Sequence, residues 1–497
     1  MPPLPSPPPS RPGLPLRGLL IAAVLFLSYA YFYQGTGWNQ DSHFALARAL
    51  VERHTVSIDH YQNTTGDKAY YEGHYYSDKA PGLSLAALPA VAAGIPVARW
   101  FHVHPWKVAN VQLYLATAFT SSLAIGLAAA VLFIVLRSWG MTPGAALFAV
   151  VVFGLGTPMW IYATQFWGHA LASACLVLAF AAADFLSRAA SLQRRTVLAG
   201  AVGLIAGWAV VSEYPAAIPA AMIAVMALVY CWRSATHRRS FLYPSAALCL
   251  TAGMCLAVVL IYQKAAFGSP FRLGYEYVVN YQETLRHGEL GLSYPKLRPL
   301  LALLFGKRCG LLLFAPILVV APLGFRQLWR AGLPRLSLCV CTGIAIYYIL
   351  FNASYLYWQA GASFGPRYLS AGLPFACLFV APVWQRARRP LKGAIAAIAG
   401  YGVLVALAGA TTTPMISEAV TFPLRVTLQG FTHGQVYEQG GAWNLGTLAG
   451  LHGWLAVAPL LAAWGVAAVV WWRIEPGQRE PLIASTDAKR VPAGGLE

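Results

Sequence analysis

Hydrophobic positions along this chain fall into long blocks separated by short polar ones. Apolar runs near 20 residues recur between residues 17 and 472, and that length crosses a bilayer's hydrocarbon core. No water satisfies backbone N–H and C=O groups there, so each run is expected to be a helix. The runs are 17–36, 106–136, 143–161, 167–187, 196–212, 214–232, 241–262, 309–325, 334–351, 367–384, 391–411 and 449–472. They make about twelve crossings, with both termini on one side. Residues 81–101, PGLSLAALPAVAAGIPVARWF, are also long enough to cross. Pro81, Pro89 and Pro96 disfavour an unbroken helix there, and an extra crossing would invert every later basic cluster. This segment is expected to be a juxtamembrane or re-entrant helix on the outer face. The pattern predicts an all-α polytopic membrane protein: a Pro-rich tail (1–16), a membrane domain (17–472) and a polar tail (473–497), with no separate soluble domain.

Composition supports this class. The chain is 58% hydrophobic and 10% charged, with a net charge of +18. The positive charge does not indicate nucleic acid, because it sits in short clusters between apolar runs. These are Arg137; Arg188, Arg194 and Arg195; Arg233, Arg238 and Arg239; Arg326, Arg330 and Arg335; Arg386, Arg388, Arg389 and Lys392; and Arg473. Such clusters belong on the cytoplasmic side. The large outer loops are then 37–105, 263–308, 352–366 and 412–448. Residues 41–53 carry apolar side chains at helical spacing, which predicts a helix lying along the interface. Tyr and Trp crowd these loops, Trp38, Tyr75, Tyr76, Tyr275, Tyr281 and Tyr357 among them, as in an aromatic belt. Cysteines such as Cys175, Cys255 and Cys341 lie inside the runs without metal spacing and read as small apolar residues. Asn63 and Asn352 open glycosylation sequons in two outer loops.

Six of the chain's 17 acids fall between Trp38 and Gly82: Asp41, Glu52, Asp59, Asp67, Glu72 and Asp78. Asp41 either caps the interfacial helix or serves as a general base for an acceptor hydroxyl. Lys79, next to Asp78 and followed by Pro81-Gly82, either snorkels to lipid headgroups or binds a substrate phosphate. His169 and Glu213 interrupt the apolar pattern at the ends of runs, where ionisable groups are functional candidates. Glu213, with Tyr214-Pro215 after it, needs a partner, for which Lys79, Arg308 or a metal are available. Arg367, opening the 367–384 run, and Lys307 and Arg308, before the 309–325 run, are cations on the outer side. Arg367 suits bidentate phosphate binding.

The order of these elements resembles the GT-C superfamily of integral membrane glycosyltransferases, which includes protein O-mannosyltransferases and lipid A aminoarabinose transferases. Members share an Asp in the first outer loop, matched by Asp41, and an acid–Lys–Pro-type motif at its end. Asp78-Lys79-Ala80-Pro81 is similar, with an inserted Ala. The motifs YYSDKAPG, WGHALA, EYPAA, FGSPFRLGY and SFGPRYLSAGLPF look like those of a bacterial subgroup of this superfamily. The resemblance implies sugar transfer from a polyprenyl-phosphate donor to a glycan, lipid or protein acceptor, with inversion, on the outer face of a bacterial inner membrane. It implies Asp41 as base and Lys79 on the carrier phosphate. Asp78, Arg308, Arg367, His169, Glu213, Tyr214 and Tyr76 complete the expected substrate contacts. Asp41, His169 and Glu213 leave a divalent metal ion open as a cofactor, and no organic cofactor is expected. The rival expectations are a transporter or lipid flippase, a lipid-linked glycan ligase or polymerase, and a receptor or scaffold.

Overall fold

A computed structural model describes residues 13–35, 37–287, 290–413, 415–434 and 443–474. The Pro-rich segment 1–12 and the polar end 475–497 lie outside them. The protein is mostly helical. Nine helices among the described residues are long and apolar enough to cross a membrane, or ten if the pair Arg367–Cys377 and Val380–Arg386, bent by 42°, forms one span. The first apolar run is α1 (Gly13–Ala30). The run expected at 106–136 is α4 (Val108–Ser138), a single length of 31 residues. Two expected runs are broken instead. α5 (Pro143–Leu155) ends before Pro158, and a separate short helix, Met159–Ala163, follows. The 309–325 run becomes Leu311–Phe314, a tight turn at Pro316–Val320 and a helix at Ala321–Arg330. Pro316 and Pro322 sit at these joints, and proline supplies no N–H to continue a helical ladder.

The basic clusters gather at one rim of the bundle. There Asp184, at the end of α6 (Gly168–Leu186), is fully buried and accepts hydrogen bonds from Ser337 Oγ at 2.8 Å, Arg188 at 2.9 Å and Trp139 Nε1 at 3.3 Å. Arg195 closes the same rim by donating to the Ser234 carbonyl at 2.6 Å.

The opposite rim is built by the first loop. α2 (Trp38–Arg53) begins after Gly37, whose N–H donates to the Asp41 carboxylate at 3.2 Å, and ends at His54 in a left-handed cap. The helix does not float along an interface as its spacing predicts. Gln40, Ser42, His43, Phe44, Leu46, Ala47 and Ala49 are all buried, because neighbouring elements cover several faces. A β-hairpin follows, β1 (Lys68–Tyr71) against β2 (His74–Ser77), closed by Glu72 and Gly73 at φ 48° and 89°. Two consecutive left-handed residues make the tight turn that matches the twist of paired strands.

α3 (Gly82–Trp100) contains Pro89 and Pro96 without breaking and is long enough to cross a membrane. Its first half packs at the loop rim. Ser84 donates to the His43 carbonyl at 2.7 Å. Gln112, in the first turns of α4, donates both to the Val91 carbonyl at 3.3 Å and to Glu52 at 3.1 Å. α3 thus runs beside α2 and α4 starts from the same rim. Asn352 is fully buried at the end of α10 (Arg335–Ser354, numbered after α7, Leu192–Ser212, α8, Ala217–Arg233, and α9, Arg238–Phe267) and cannot act as a glycosylation site. Asn63 is exposed.

Candidate functional site

The hairpin register creates the site. Lys68 pairs with Ser77, so the residues just outside the pair, Asp67 and Asp78, emerge side by side. Lys79 bridges them, its Nζ lying 2.9 Å from Asp67 and 3.0 Å from Asp78. Side-chain exposure of the three is only 16%, 11% and 4% for Lys79, Asp67 and Asp78. Burial alone would lower the Lys79 pKa, but the two carboxylates outweigh it and hold the ammonium well above its ordinary range. Asp78 is also braced from α2, whose Ser42 donates to it at 3.4 Å and shares a 2.9 Å hydrogen bond with Ser77.

A second polar pair closes on this one from the membrane helices. His169, in the first turn of α6, lies with Nδ1 3.0 Å from Glu213 Oε1. Glu213 occupies the extended joint after α7. Burial would raise its pKa, yet His169, then His43 and Lys79, bring it below the usual carboxylate value. Among the side chains, the partner of Glu213 is therefore His169 rather than Arg308. Two glycines permit this closure. A Cβ on Gly168 would meet Glu213 Oε1 at 2.5 Å, and one on Gly82 would meet the backbone of Val211 at 2.6 Å. Any larger residue would separate the Lys79 loop from Glu213.

Arg367 completes the cluster. Its guanidinium lies 4.7 Å from the Trp167 ring and 4.9 Å from the Tyr368 ring, and one nitrogen donates to Tyr368 Oη at 3.0 Å. The Tyr368 ring is in turn 5.7 Å from His169 and 5.7 Å from Tyr355. Several buried polar atoms here have no hydrogen-bond partner among the described residues: Arg367 Nε, Trp167 Nε1, His169 Nε2, His43 Nδ1, Ser212 Oγ and both amide atoms of Gln165. Buried polar groups are ordinarily satisfied, so this concentration marks a polar cluster suited to a polar guest. His43 projects from α2 into the same field. Burial holds its pKa down to about 3.

Asp41 faces a neighbouring cavity of about 150 Å³ lined with Phe44, Arg48, Tyr61, Thr64 and Asn110. Burial raises its pKa to about 7, against the pull of the Gly37 N–H and with a smaller push from Asp67. Asp67 thus stands between the cluster and this cavity. Asp41, His169 and Glu213 do not form a ligand set, and among the described residues no three His, Cys, Asp or Glu side chains are arranged to hold a metal ion.

Other expected contacts lie elsewhere. Arg308 spends its donors on the carbonyls of Glu418 at 2.9 Å, Val420 at 2.5 Å and Gly361 at 3.1 Å, so it clamps two loops together. Tyr76 packs 5.4 Å from Phe267 in the apolar cluster beneath the hairpin. Tyr214 Oη accepts from Gln263 at 2.9 Å, and its ring lies 6.0 Å from Tyr275. Sequence reasoning did not single out Asp67, His43, Trp167 or Tyr368. Asp67 was visible only as one acid among six, and its pairing with Lys79 depends on strand register. His43 had a signal, a polar residue one helical turn from the apolar Ala47 on a face that is buried.

Fold and site together define a polytopic membrane protein with a buried ionic cluster at one rim. The ArnT-like GT-C fold that the motifs suggested is the fold observed. The structure of ArnT from Cupriavidus metallidurans bound to undecaprenyl phosphate matches 94% of this chain and 73% of that one, with a TM-score of 0.52 and 16% sequence identity. The apo structure of the same protein matches with a TM-score of 0.50 over 92% of this chain and 73% of that one, also at 16% identity. No protein-family model and no curated protein matches the sequence.

Proposed function

We propose that this protein is a glycosyltransferase that moves a sugar from a polyprenyl-phosphate donor to an acceptor on the outer face of a bacterial inner membrane. The observation that carries this reading is the buried pair of cations, Lys79 and Arg367, on the rim opposite the basic clusters. A phosphate group entering the cluster meets a fixed ammonium and a guanidinium with an unpartnered Nε. Both stabilise the negative charge that grows on the carrier phosphate as the glycosidic bond breaks. ArnT, with the same fold, was solved with undecaprenyl phosphate bound.

The His169–Glu213 pair, His43 and Gln165 belong to the cluster where the sugar would sit, and offer donors and acceptors to its hydroxyls. Asp41, with a pKa near 7 and its own cavity next door, acts as the base that takes the acceptor's proton. Attack from that side, opposite the departing phosphate, inverts the anomeric carbon. The donor set does not fit a metal, and no step runs through one. Arg308 and Tyr76 are left out of the mechanism. The separation of these groups from the basic rim favours an enzyme working at one surface over a transporter, which needs a path between both.

The test is transfer of radiolabelled sugar from polyprenyl-phosphate donors in membranes containing the protein. Asp41→Ala is expected to abolish transfer without loss of protein from the membrane. Normal turnover by that variant would remove Asp41 from the mechanism, and absence of transfer by the parent from a panel of such donors would remove the transferase reading.

A further inference from the structure

A row of aromatic rings stands near the ionic cluster, where Trp38 packs on Gly66 beside Asp67, and the donor chemistry above does not use it. Trp38 opens α2, Tyr281 lies in the second large loop and Tyr357 follows α10. The Trp38 and Tyr281 ring centroids are 6.4 Å apart at 62°, and those of Tyr281 and Tyr357 are 6.1 Å apart at 40°. The three rings thus stand in a row, each tilted against the next. Trp38 is 52% exposed and Tyr281 41% exposed, large values for aromatic side chains held in place by backbone contacts.

The row is held in place. Trp38 packs onto Gly66, where a Cβ would come within 2.6 Å of the indole, and Thr65 Oγ1 donates to the Trp38 carbonyl at 2.7 Å. Asn280 donates to the Gly66 carbonyl at 2.7 Å, which ties the second loop to the first. Tyr281 itself has φ 66°, a left-handed conformation that non-glycine residues adopt rarely and at a cost. At the other end Tyr357 Oη donates to Glu418, and Arg308 fixes the backbone of Glu418 through the carbonyl contacts described above. Tyr281 lies within electrostatic reach of the ionic cluster: burial, then the charge of Asp67, raises its pKa to about 12, with Lys79, Glu418 and Arg367 also contributing.

An aromatic belt would serve lipid headgroups, but a carboxylate beside the rings is a poor neighbour for lipid phosphates. It is a good acceptor for neutral hydroxyls. Resting on the transferase reading, we propose that the Trp38–Tyr281–Tyr357 row docks the acceptor and that the acceptor is a saccharide, its C–H faces stacked on the rings and its hydroxyls donating to Glu418.

Binding of cellotetraose, chitotetraose and mannotetraose to the purified full-length protein, without donor, tests this through tryptophan fluorescence and saturation-transfer NMR. At least one tetrasaccharide is expected to bind. Tyr281→Ala and Trp38→Ala should each weaken it about tenfold, as loss of a central aromatic contact does. Tyr281→Phe keeps the ring and should bind as the parent does, which separates lost stacking from lost folding. Glu418→Gln should also weaken binding. The proposal is overturned if none of the three saccharides binds, if binding is indifferent to the alanine variants, or if those variants weaken only dihexanoyl phosphatidylglycerol. Transfer from a polyprenyl-phosphate donor to a peptide by a protein that binds no saccharide would overturn this proposal and keep the transferase. Saccharide binding that depends on the row, with no transfer from any donor, would do the reverse.

Discussion

Asp41 and Lys79 lie in the same loop, but burial acts on them differently. Asp41 accepts from one backbone donor, and desolvation outweighs it and moves its pKa to about 7. Transfer should therefore rise with pH and level off above about 7, where the carboxylate is free to accept a proton. Asp41→Asn should lower the rate about a hundred- to ten-thousandfold, the usual worth of a positioned base. Stability should move the opposite way. The folded protein holds this proton more tightly than the unfolded chain, whose carboxyl titrates near 3.8, so the stabilisation is complete below about 3.8 and is lost as pH rises through about 7. A thermal-melt series across that range should show a slope that Asp41→Asn removes. Lys79 has the reverse problem, since two carboxylates depend on it. Lys79→Met leaves them buried without a counter-charge and should cost about 3–5 kcal/mol. Lys79→Met combined with Asp78→Asn should recover part of the melting temperature but no donor binding, which distinguishes a phosphate contact from a purely structural ion pair.

At the scale of elements, α3 shows how composition and packing can disagree. Its length and hydropathy are those of a spanning helix, yet Ser84 and Val91 are tied along α2 and the base of α4. Those hydrogen bonds hold the first half of α3 against α2 and the start of α4. Phe101, just past α3, is 71% exposed. A cysteine placed there should react with a membrane-impermeant maleimide from the same side as one placed at exposed Tyr70, in a background lacking the exposed native Cys249 and Cys339. Labelling from opposite sides would make α3 a crossing and would reverse every helix after it.

For the whole molecule, the two rims have different chemistry. One carries the basic clusters and the buried Asp184 network; the other carries the ionic cluster, the Asp41 cavity and the aromatic row. The second offers unpartnered buried donors, among them Arg367 Nε, Trp167 Nε1 and His169 Nε2, beside Lys79 and Arg367. Undecaprenyl phosphate in detergent micelles should therefore raise the melting temperature. At 100 times its Kd the stabilisation should be about 2.7 kcal/mol. Arg367→Met and the Lys79→Met/Asp78→Asn pair should lose that increment, whereas Arg308→Met should keep it, because its donors are committed to loop carbonyls.

The class of protein and most of its helices followed from sequence, because burial in lipid acts on every residue of a run and leaves a long-range compositional trace. Lys79, Glu213 and Arg367 were visible for the same reason, as charges where charge is expensive. Breaks at Gly156–Pro158 and Pro316 were harder to see, since a few residues decide whether a run is one helix or three. Which groups meet was settled only by the tertiary structure. Strand register put Asp67 beside Asp78, two glycines let His169 and Glu213 close on Lys79, and loop contacts drew Arg308 away from the phosphate position it was expected to fill. Such pairings join residues far apart in the chain through a single hydrogen bond or a missing Cβ, and neither leaves a mark on local pattern.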